Sequence, residues 1–353
     1  MTSVPVRWGI IGCGDVTEVK SGPAFQLATG SQLVAVMRRD AEKARDYAER
    51  HSVPRWYSTV EGLLSDQEID AIYIATPPGS RVEIAEQVAK SGKPCYLEKP
   101  MARNFTESQL IAQVFESNSV PLFVAYYRRC YPRFVRLKAL LASGQFGRIS
   151  SVQYRLERPA ASSTGWRQDV STSGGGLFVD LGSHVLDLLD FLLGPLKMTE
   201  GVAARAPDAH PSSPEDVVAI SFAFGSPTQG IGTGLWNFNS AESCDVLEIT
   251  TSKAKIFVPD FMNGRVVSVR GPDGSKLEEW EEIPPNTVQL PMIQTITNAI
   301  AEKNPALCPS TATSGLRTAS YIDQALNGFY GGRADAFWKR VDTWTSNQHG
   351  VQR

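Results

Sequence analysis

The chain has 353 residues, 42% of them hydrophobic and 20% charged, with a formal net charge of −2. That length suits two domains with real cores better than one, and the near-neutral balance offers no broad basic face to nucleic acid. No apolar run is long enough to span a bilayer, the opening MTSVPVRWGIIGCG lacks the sections of a secretory signal, and five scattered cysteines form no CxxC pair, so a cytoplasmic protein without membrane or nucleic-acid partners is expected.

Val6–Ile11 reads as a short apolar strand ending in glycines, followed by a helix over Gly14–Leu27 and a second strand over Gln32–Met37. Asp40–His51 is an amphipathic helix with Ala44 and Ala48 on one face. A short helix at Val60–Leu64 precedes Ala71–Ala75, an all-apolar run suited to a strand covered on both faces. Helix Arg81–Ser91, strand Cys95–Leu97, helix Glu107–Ser117 and strand Leu122–Ala125 continue the alternation, with Thr106 and Gln109 as a capping box for the last helix. Strands separated by helices imply right-handed crossovers and a doubly wound parallel sheet.

The rhythm changes near Tyr126. After a helix at Phe134–Ala142, strands dominate: Val152, Tyr154 and Leu156 alternate with Gln153, Arg155 and Glu157, and Ile220, Phe222 and Phe224 repeat the period. Segments 230–238, 246–251, 253–258 and 265–270 also read as strands. An α+β domain with a large open, predominantly antiparallel sheet over 127–353 is expected to follow the doubly wound α/β domain over 1–126. One face of such a sheet must be covered; helices 291–302 and 312–327 could do this, or the sheet could join subunits into a homodimer or homotetramer. Trp338, Trp344 and the tail beyond Gly332 serve either an interface or packing on the body.

Gly12-Cys13-Gly14-Asp15-Val16-Thr17 links the first strand to the first helix. Its glycines permit a tight turn and close approach of backbone to a pyrophosphate at the helix N-terminus. Thr17 replaces the usual third glycine or alanine, but the context is the first βαβ unit, where the fingerprint belongs. The second strand ends Met37-Arg38-Arg39, with no acidic residue to hold a ribose 2′-hydroxyl. Arginines there suit a 2′-phosphate, so NADP(H) is favoured and NAD(H) possible. The plainer alternative is a pair of solvated charges before a helix.

Two further stretches carry candidate chemistry. Leu97-Glu98-Lys99-Pro100 places a charged pair at the carboxyl end of a parallel strand, where ligands bind such sheets. In Gly174–Asp187, residues Asp180, His184 and Asp187 recur at i, i+4 and i+7 on a helix that is otherwise apolar. A carboxylate beside an imidazole can orient it and stabilise its protonated form. A satisfied core histidine is the bland alternative; a metal site lacks further ligand spacing.

The elements ATPP at 75–78, GKPCYLEKPMA at 92–102, YYRRCYP at 126–132, GWR at 165–167 and GGGLFVDLGSHVLDLLDFLLG at 174–194, in this order, resemble the glucose-fructose oxidoreductase / inositol dehydrogenase (Gfo/Idh/MocA) family. The resemblance implies hydride exchange between a nicotinamide cofactor and a secondary alcohol or ketone of a sugar or polyol. It implies a cis Lys99-Pro100 bond, with Lys99 near the reacting oxygen, His184 as general acid/base and Asp180 positioning substrate and imidazole. Thr76 and Pro77 match the cofactor-contacting loop and Glu98 the residue near the nicotinamide ribose, while Tyr126, Arg129, Trp166 and Arg167 would line the substrate cleft. The histidine often found five residues after the threonine of ATPP is Arg81 here, which leaves substrate identity open. Relatives also suggest two alternatives: a tightly held NAD used for transient oxidation in glycoside cleavage, and a non-catalytic sensor or co-regulator. The presence of Lys99, Asp180 and His184 counts against the second.

Overall fold

Short apolar runs, each followed by an amphipathic helix, build the first half of the chain. In the computed structural model, which describes residues 4–160, 165–225 and 230–344, the runs become β1 (Val6–Ile11), β2 (Ser31–Met37), β3 (Arg55–Tyr57), β4 (Ala71–Ile74), β5 (Cys95–Leu97) and β6 (Leu122–Val124). They pair in parallel in the order β3-β2-β1-β4-β5-β6, so the expected doubly wound sheet is present. The helices between them are α1 (Gly22–Leu27), α2 (Ala41–Arg50), α3 (Val60–Leu64), α4 (Arg81–Lys90) and α5 (Phe105–Ser117). Strand order reverses between β1 and β4, which puts the loops after those two strands at a topological switch point. On one face of the sheet Trp8, Phe25, Tyr73 and Tyr96 form a ladder with ring centroids 4.9, 5.3 and 5.0 Å apart. Ile11, Ile72, Ile74 and Leu97 belong to a second cluster with Leu63, Ala85 and Val88.

The helix expected from Glu107 begins instead at Phe105. The Asp323 carboxylate accepts from the Phe105 amide (2.9 Å), and Thr106 donates its hydroxyl to the Ala334 carbonyl. A residue distant in sequence therefore caps this helix, and the Thr106–Gln109 capping box does not form.

The second half contributes α6 (Pro132–Ser143), β7 (Ile149–Glu157), α7 (Val170–Ser173), α8 (Ser183–Leu193), β8 (Leu196–Ala204), β9 (Val217–Phe224), β10 (Gly230–Asn237), β11 (Cys244–Thr251), β12 (Lys255–Pro259), β13 (Val266–Arg270) and β14 (Lys276–Glu281). Its eight strands run β14-β13-β12-β11-β7-β10-β9-β8, antiparallel except for the parallel pair β7–β10. Val152, Tyr154 and Leu156 are buried while Gln153 and Arg155 are exposed, as the alternation requires. On β10 the glycines take the inward positions because aromatic rings lie over them: a Cβ on Gly232 would sit 2.2 Å from the Phe222 ring. Tyr154, Trp236, Phe178, Phe261 and Phe134 form the ring cluster beneath the sheet.

Contacts group the chain into two compact units rather than two consecutive stretches divided at 126. The first comprises Met1–Ala102, Glu107–Cys130 and Pro285–Leu316; the second comprises Arg103–Thr106, Tyr131–Pro284 and Arg317–Arg353. Helix α9 (Leu290–Ala301) thus belongs with the parallel sheet. It packs on α1 and β1, and Gln294 accepts from the Thr29 amide (2.7 Å) and donates to the Thr29 carbonyl (3.0 Å). Of the two helices that could cover the second sheet, 291–302 therefore does not. Helix α10 (Ala312–Tyr330) does reach that sheet, with Ala325 against Gly201 of β8. Trp344 packs on Phe329 and Tyr330, and the Arg103 guanidinium lies 3.8 Å above the Trp338 ring, so both tryptophans pack within the second unit. Residues 345–353, His349 among them, lie outside the described residues. Among the described residues no helix is long and apolar enough to cross a membrane.

Candidate active site

The turn after β1 is built around two glycines with different duties. Gly12 has φ +93°, and a Cβ there would lie 2.6 Å from Thr76 Cγ2 in the loop after β4. A Cβ on Gly14 would meet nothing within 4 Å and would project into open space. Thr17, fully buried, closes the turn on itself: its hydroxyl accepts from the Gly14 amide (2.9 Å) and donates to the Gly14 carbonyl (2.7 Å). This explains why threonine serves at the third fingerprint position. Asp15 and Val16 open the helix, whose first amides have no intrahelical acceptor. A π-helical turn over Thr17–Ser21 follows, in which the Thr17 carbonyl accepts from the Gly22 amide and from the Tyr47 hydroxyl (2.9 Å). Only glycine fits at 22, because a Cβ there would stand 2.2 Å from that carbonyl oxygen.

Arg38, just past β2, donates through Nη1 to the Cys13 carbonyl (3.3 Å), so its guanidinium reaches across the glycine turn; Arg39 is exposed. The Cys13 thiol is pushed up to about 11 by burial, which leaves it a weak nucleophile. Thr76 Oγ1 is buried without a hydrogen-bond partner. Such an orphan needs an explanation, and together with the Gly12–Gly14 cradle it fits a dinucleotide laid over this turn.

At the end of β5 the Glu98 carboxylate is buried and heavily engaged. Its Oε1 accepts from the Tyr73 hydroxyl (2.6 Å) and Gln289 Nε2 (2.7 Å), and its Oε2 accepts from the Lys99 amide (3.0 Å). Tyr96 donates to Gln289 Oε1 (2.9 Å), extending the network. Burial holds the Tyr73 and Tyr96 phenols well above their usual range, so they serve as donors. Three of the carboxylate's acceptor sites thus face the protein. Lys99 itself is half-buried, and the Lys99-Pro100 bond is cis, as the resemblance implies. Arg81 does not face outward to read a substrate: it is 3% exposed and donates to the Thr76 carbonyl (2.8 Å), the Glu98 carbonyl (2.5 Å) and the Pro100 carbonyl. In the same unit Tyr126 and Arg129 are buried, and Arg129 donates to the Pro309 carbonyl (3.1 Å).

In the second unit the glycine run 174–176 is a close-packing device. Gly174 ends α7 at φ +84°, and a Cβ there would lie 2.3 Å from the Arg103 carbonyl oxygen. The buried Glu215 carboxylate accepts from the Gly176 amide (2.9 Å) and from the Tyr330 hydroxyl, while burial pushes its pKa up. Arg333, also buried, donates to the carbonyls of Gly174 (2.8 Å) and Arg103 (2.9 Å) and pairs with Asp323 (2.8 Å). A second π-helical turn, Phe178–Gly182, leads straight into α8. The expected uninterrupted helix face is therefore altered. Asp180 sits on the wide turn, partly exposed, with Arg167 Nε 3.4 Å from its carboxylate. The Arg167 guanidinium lies 4.7 Å from the centre of the exposed Trp166 ring, so these three predicted residues are neighbours. His184 is buried in the first turn of α8. Asp187 accepts from Thr318 (3.3 Å), and Asp190 is held by Arg317 (2.7 and 2.8 Å) and Tyr321 (2.8 Å). A cavity of about 340 Å³ beside Arg167 is lined by Gln168, Gly176, Glu215, Asp216 and Asn239 among others.

Sequence reasoning did not find Gln289, Glu215 or Arg333. Each lies far along the chain from the motif it supports, and only the buried-polar type of the residue hints at a partner. Among the described residues no group of three or more His, Cys, Asp or Glu could hold a metal ion.

The family described as "Oxidoreductase family, NAD-binding Rossmann fold" matches residues 6–126, and the "GFO/IDH/MocA C-terminal domain" matches residues 134–257. Oxidoreductase P35 of Formosa agariphila is 35% identical over 310 residues, 86% of this chain and 93% of its own. The 1,5-anhydro-D-fructose reductase of Ensifer adhaerens is 25% identical over 230 residues, 65% of this chain and 64% of its own. In fold, the chain resembles levoglucosan dehydrogenase solved with NADH and levoglucosan, with a TM-score of 0.80 over 92% of this chain and 96% of that one at 21% identity. With a nicotinamide-binding sheet, its companion domain and a relative matched over nearly its full length, the chain belongs to the GFO/IDH/MocA family of NAD-binding oxidoreductases.

Proposed function

We propose that the protein interconverts a secondary alcohol and a ketone on a sugar, cyclitol or related polyol, with Lys99, His184 and Asp180 as its working groups. The observation that carries this reading is the clamped segment Glu98-Lys99-Pro100, tied by Arg81 to the Thr76 loop at the switch point of the sheet. Structural effort of that kind beside a cofactor loop suits a lysine whose position matters. Sugar chemistry is supported by relatives named for an anhydrosugar ketone.

The bound dinucleotide supplies or accepts the hydride when present. Gly12, Gly14, Asp15 and Val16 would hold its pyrophosphate, with Thr76, Pro77 and Glu98 toward the nicotinamide end. In the oxidative direction His184 takes the hydroxyl proton, and the Lys99 ammonium stabilises the negative charge that develops on oxygen. In the reductive direction His184 returns the proton. Asp180, with Arg167 and Trp166 beside it, orients the hydroxyls of the substrate. NADP(H) is the preferred cofactor, since Arg38 reaches across the glycine turn, Arg39 is exposed and no carboxylate ends β2. The outward face of the open sheet, where Val202 and Ile231 are more than 60% exposed, joins two copies of the chain.

The deciding experiment is Lys99→Met, followed by absorbance of the reduced nicotinamide across a panel of aldoses, ketoses, anhydrosugars and polyols. Turnover should fall by at least about 10²-fold while NADPH binding stays close to that of the wild type. Normal turnover in the variant would exclude the role given to Lys99. Cofactor retained through purification with no net change in NADPH would favour transient oxidation instead.

A further inference from the structure

Arg81 is a charge in an expensive place. It begins α4, is almost wholly buried, and directs its donors at main-chain carbonyls. Nη1 reaches both the Glu98 and the Pro100 carbonyls, the two that flank Lys99, while Nε takes the Thr76 carbonyl. One planar group therefore clasps the backbone on either side of the lysine and fastens it to the loop after β4. The guanidinium is suited to this because its donors lie in a fixed fork; a lysine ammonium is a point charge on a flexible stem. Charge-assisted bonds to three carbonyls offset the desolvation of the ion, and filling the space alone would have been cheaper with an apolar side chain.

Glu98 holds the same segment through a different atom. Its carboxylate grips the Lys99 amide from within the Tyr73–Gln289 network. Lys99 is thus constrained at its own N–H, at the Glu98 carbonyl before it and, beyond the next peptide bond, at the Pro100 carbonyl.

We propose that Arg81 is a positioning residue that fixes Lys99 in register with the Thr76 loop and so sets the ammonium against the reacting oxygen; this rests on the role given to Lys99 above. Arg81 then acts on rate through Lys99 and has no part in choosing the substrate.

The test is a double-mutant cycle on the full chain: wild type, Arg81→Gln, Lys99→Met and the double variant. Hydride transfer is followed with NADP(H) and the same panel of sugars and polyols, and NADPH affinity by its fluorescence. Arg81→Gln should lower kcat by about 10²-fold, the order expected for a small displacement of a catalytic group, with NADPH affinity changed by less than about threefold. In the Lys99→Met background the same substitution should add less than about threefold, because the group it positions is gone. Equal slowing in both backgrounds would make Arg81 merely structural and overturn the inference, as would a kcat within about twofold of wild type. If Arg81→Gln does not fold, Arg81→Lys carries the same comparison, since it keeps the charge and loses the fork. A fully active Lys99→Met, or a wild type inert on the whole panel, would remove the reading of Lys99 and this inference with it. Loss confined to Arg81→Gln with the coupling absent removes the inference alone.

Discussion

Replacing Gly12 by alanine would put a methyl carbon 2.6 Å from Thr76 Cγ2, against an ordinary carbon–carbon contact of about 3.5–4.0 Å. Thr76 has little room to retreat, since the neighbouring backbone atoms Thr76 N and Ala75 C lie 3.1 and 3.3 Å from the same point. The φ of +93° adds a conformational cost of about 1–2 kcal/mol for any residue with a Cβ. Overpacking contributes about 1–3 kcal/mol more, so the variant should lose about 2–5 kcal/mol. For a chain of this size that lowers the melting temperature by about 3–7 °C. Gly14→Ala is the matched control, because its new methyl meets nothing within 4 Å. Stability should stay within about 0.5 kcal/mol of wild type. Affinity for NADPH should nevertheless fall at least about tenfold, because the methyl occupies the space through which a pyrophosphate approaches. Thermal unfolding of the unliganded proteins and fluorescence titration with NADPH separate the two effects. The reasoning fails if Gly14→Ala melts with Gly12→Ala, or if it binds NADPH as tightly as wild type.

Arg317→Met takes the bidentate partner from the Asp190 carboxylate, whose side chain is 1% exposed. Urea unfolding should show a loss of about 3 kcal/mol, and a change below about 0.5 kcal/mol would mean the pair contributes little. Glu215 has a folded pKa raised by burial, so the folded protein binds its proton more tightly than the unfolded chain does. Its contribution to stability is full below the ordinary value of 4.5 and declines as pH rises through the raised pKa. Glu215→Gln should flatten that decline in a stability–pH series; parallel curves for the two proteins would remove Glu215 as its source. Ile231→Lys should shift the sedimentation of the protein from dimer to monomer, and a wild type that already sediments as a monomer would dispose of the proposed sheet-to-sheet association.

The central strands of the parallel sheet are legible because they are short, largely apolar runs, and β7 and β9 because they keep period two. The strands that escaped notice are of another kind. Arg55–Tyr57 is three residues at a sheet edge, Leu196–Ala204 is an edge strand of which only Leu196 is buried, and Lys276–Glu281 is a charged edge strand of which only Trp280 is buried. Edges of that composition resist unwanted pairing and look like loops. Hydrophobic periodicity also identifies a helix without naming its partner, so the pattern over 291–302 does not say which of the two sheets it covers. The two π turns depend on Gly22 under Tyr47 and on Gly182 against the Phe178 ring, contacts that no local pattern contains. Lys99, Asp180 and His184 could be singled out from spacing and type, but the groups that hold them in place could not.

The return of 285–316 to the first unit has a consequence for how the molecule is made. Gln289 is fully buried against Glu98, and Met292 packs on Cys130 and Cys308. A nascent chain released at residue 130 would hold a carboxylate in its interior with one of its donors missing, so the nucleotide-binding body cannot seal until translation has passed the whole second sheet. Excising that body for grafting onto another protein would require a stitched gene in which the late segment is rejoined to the early one.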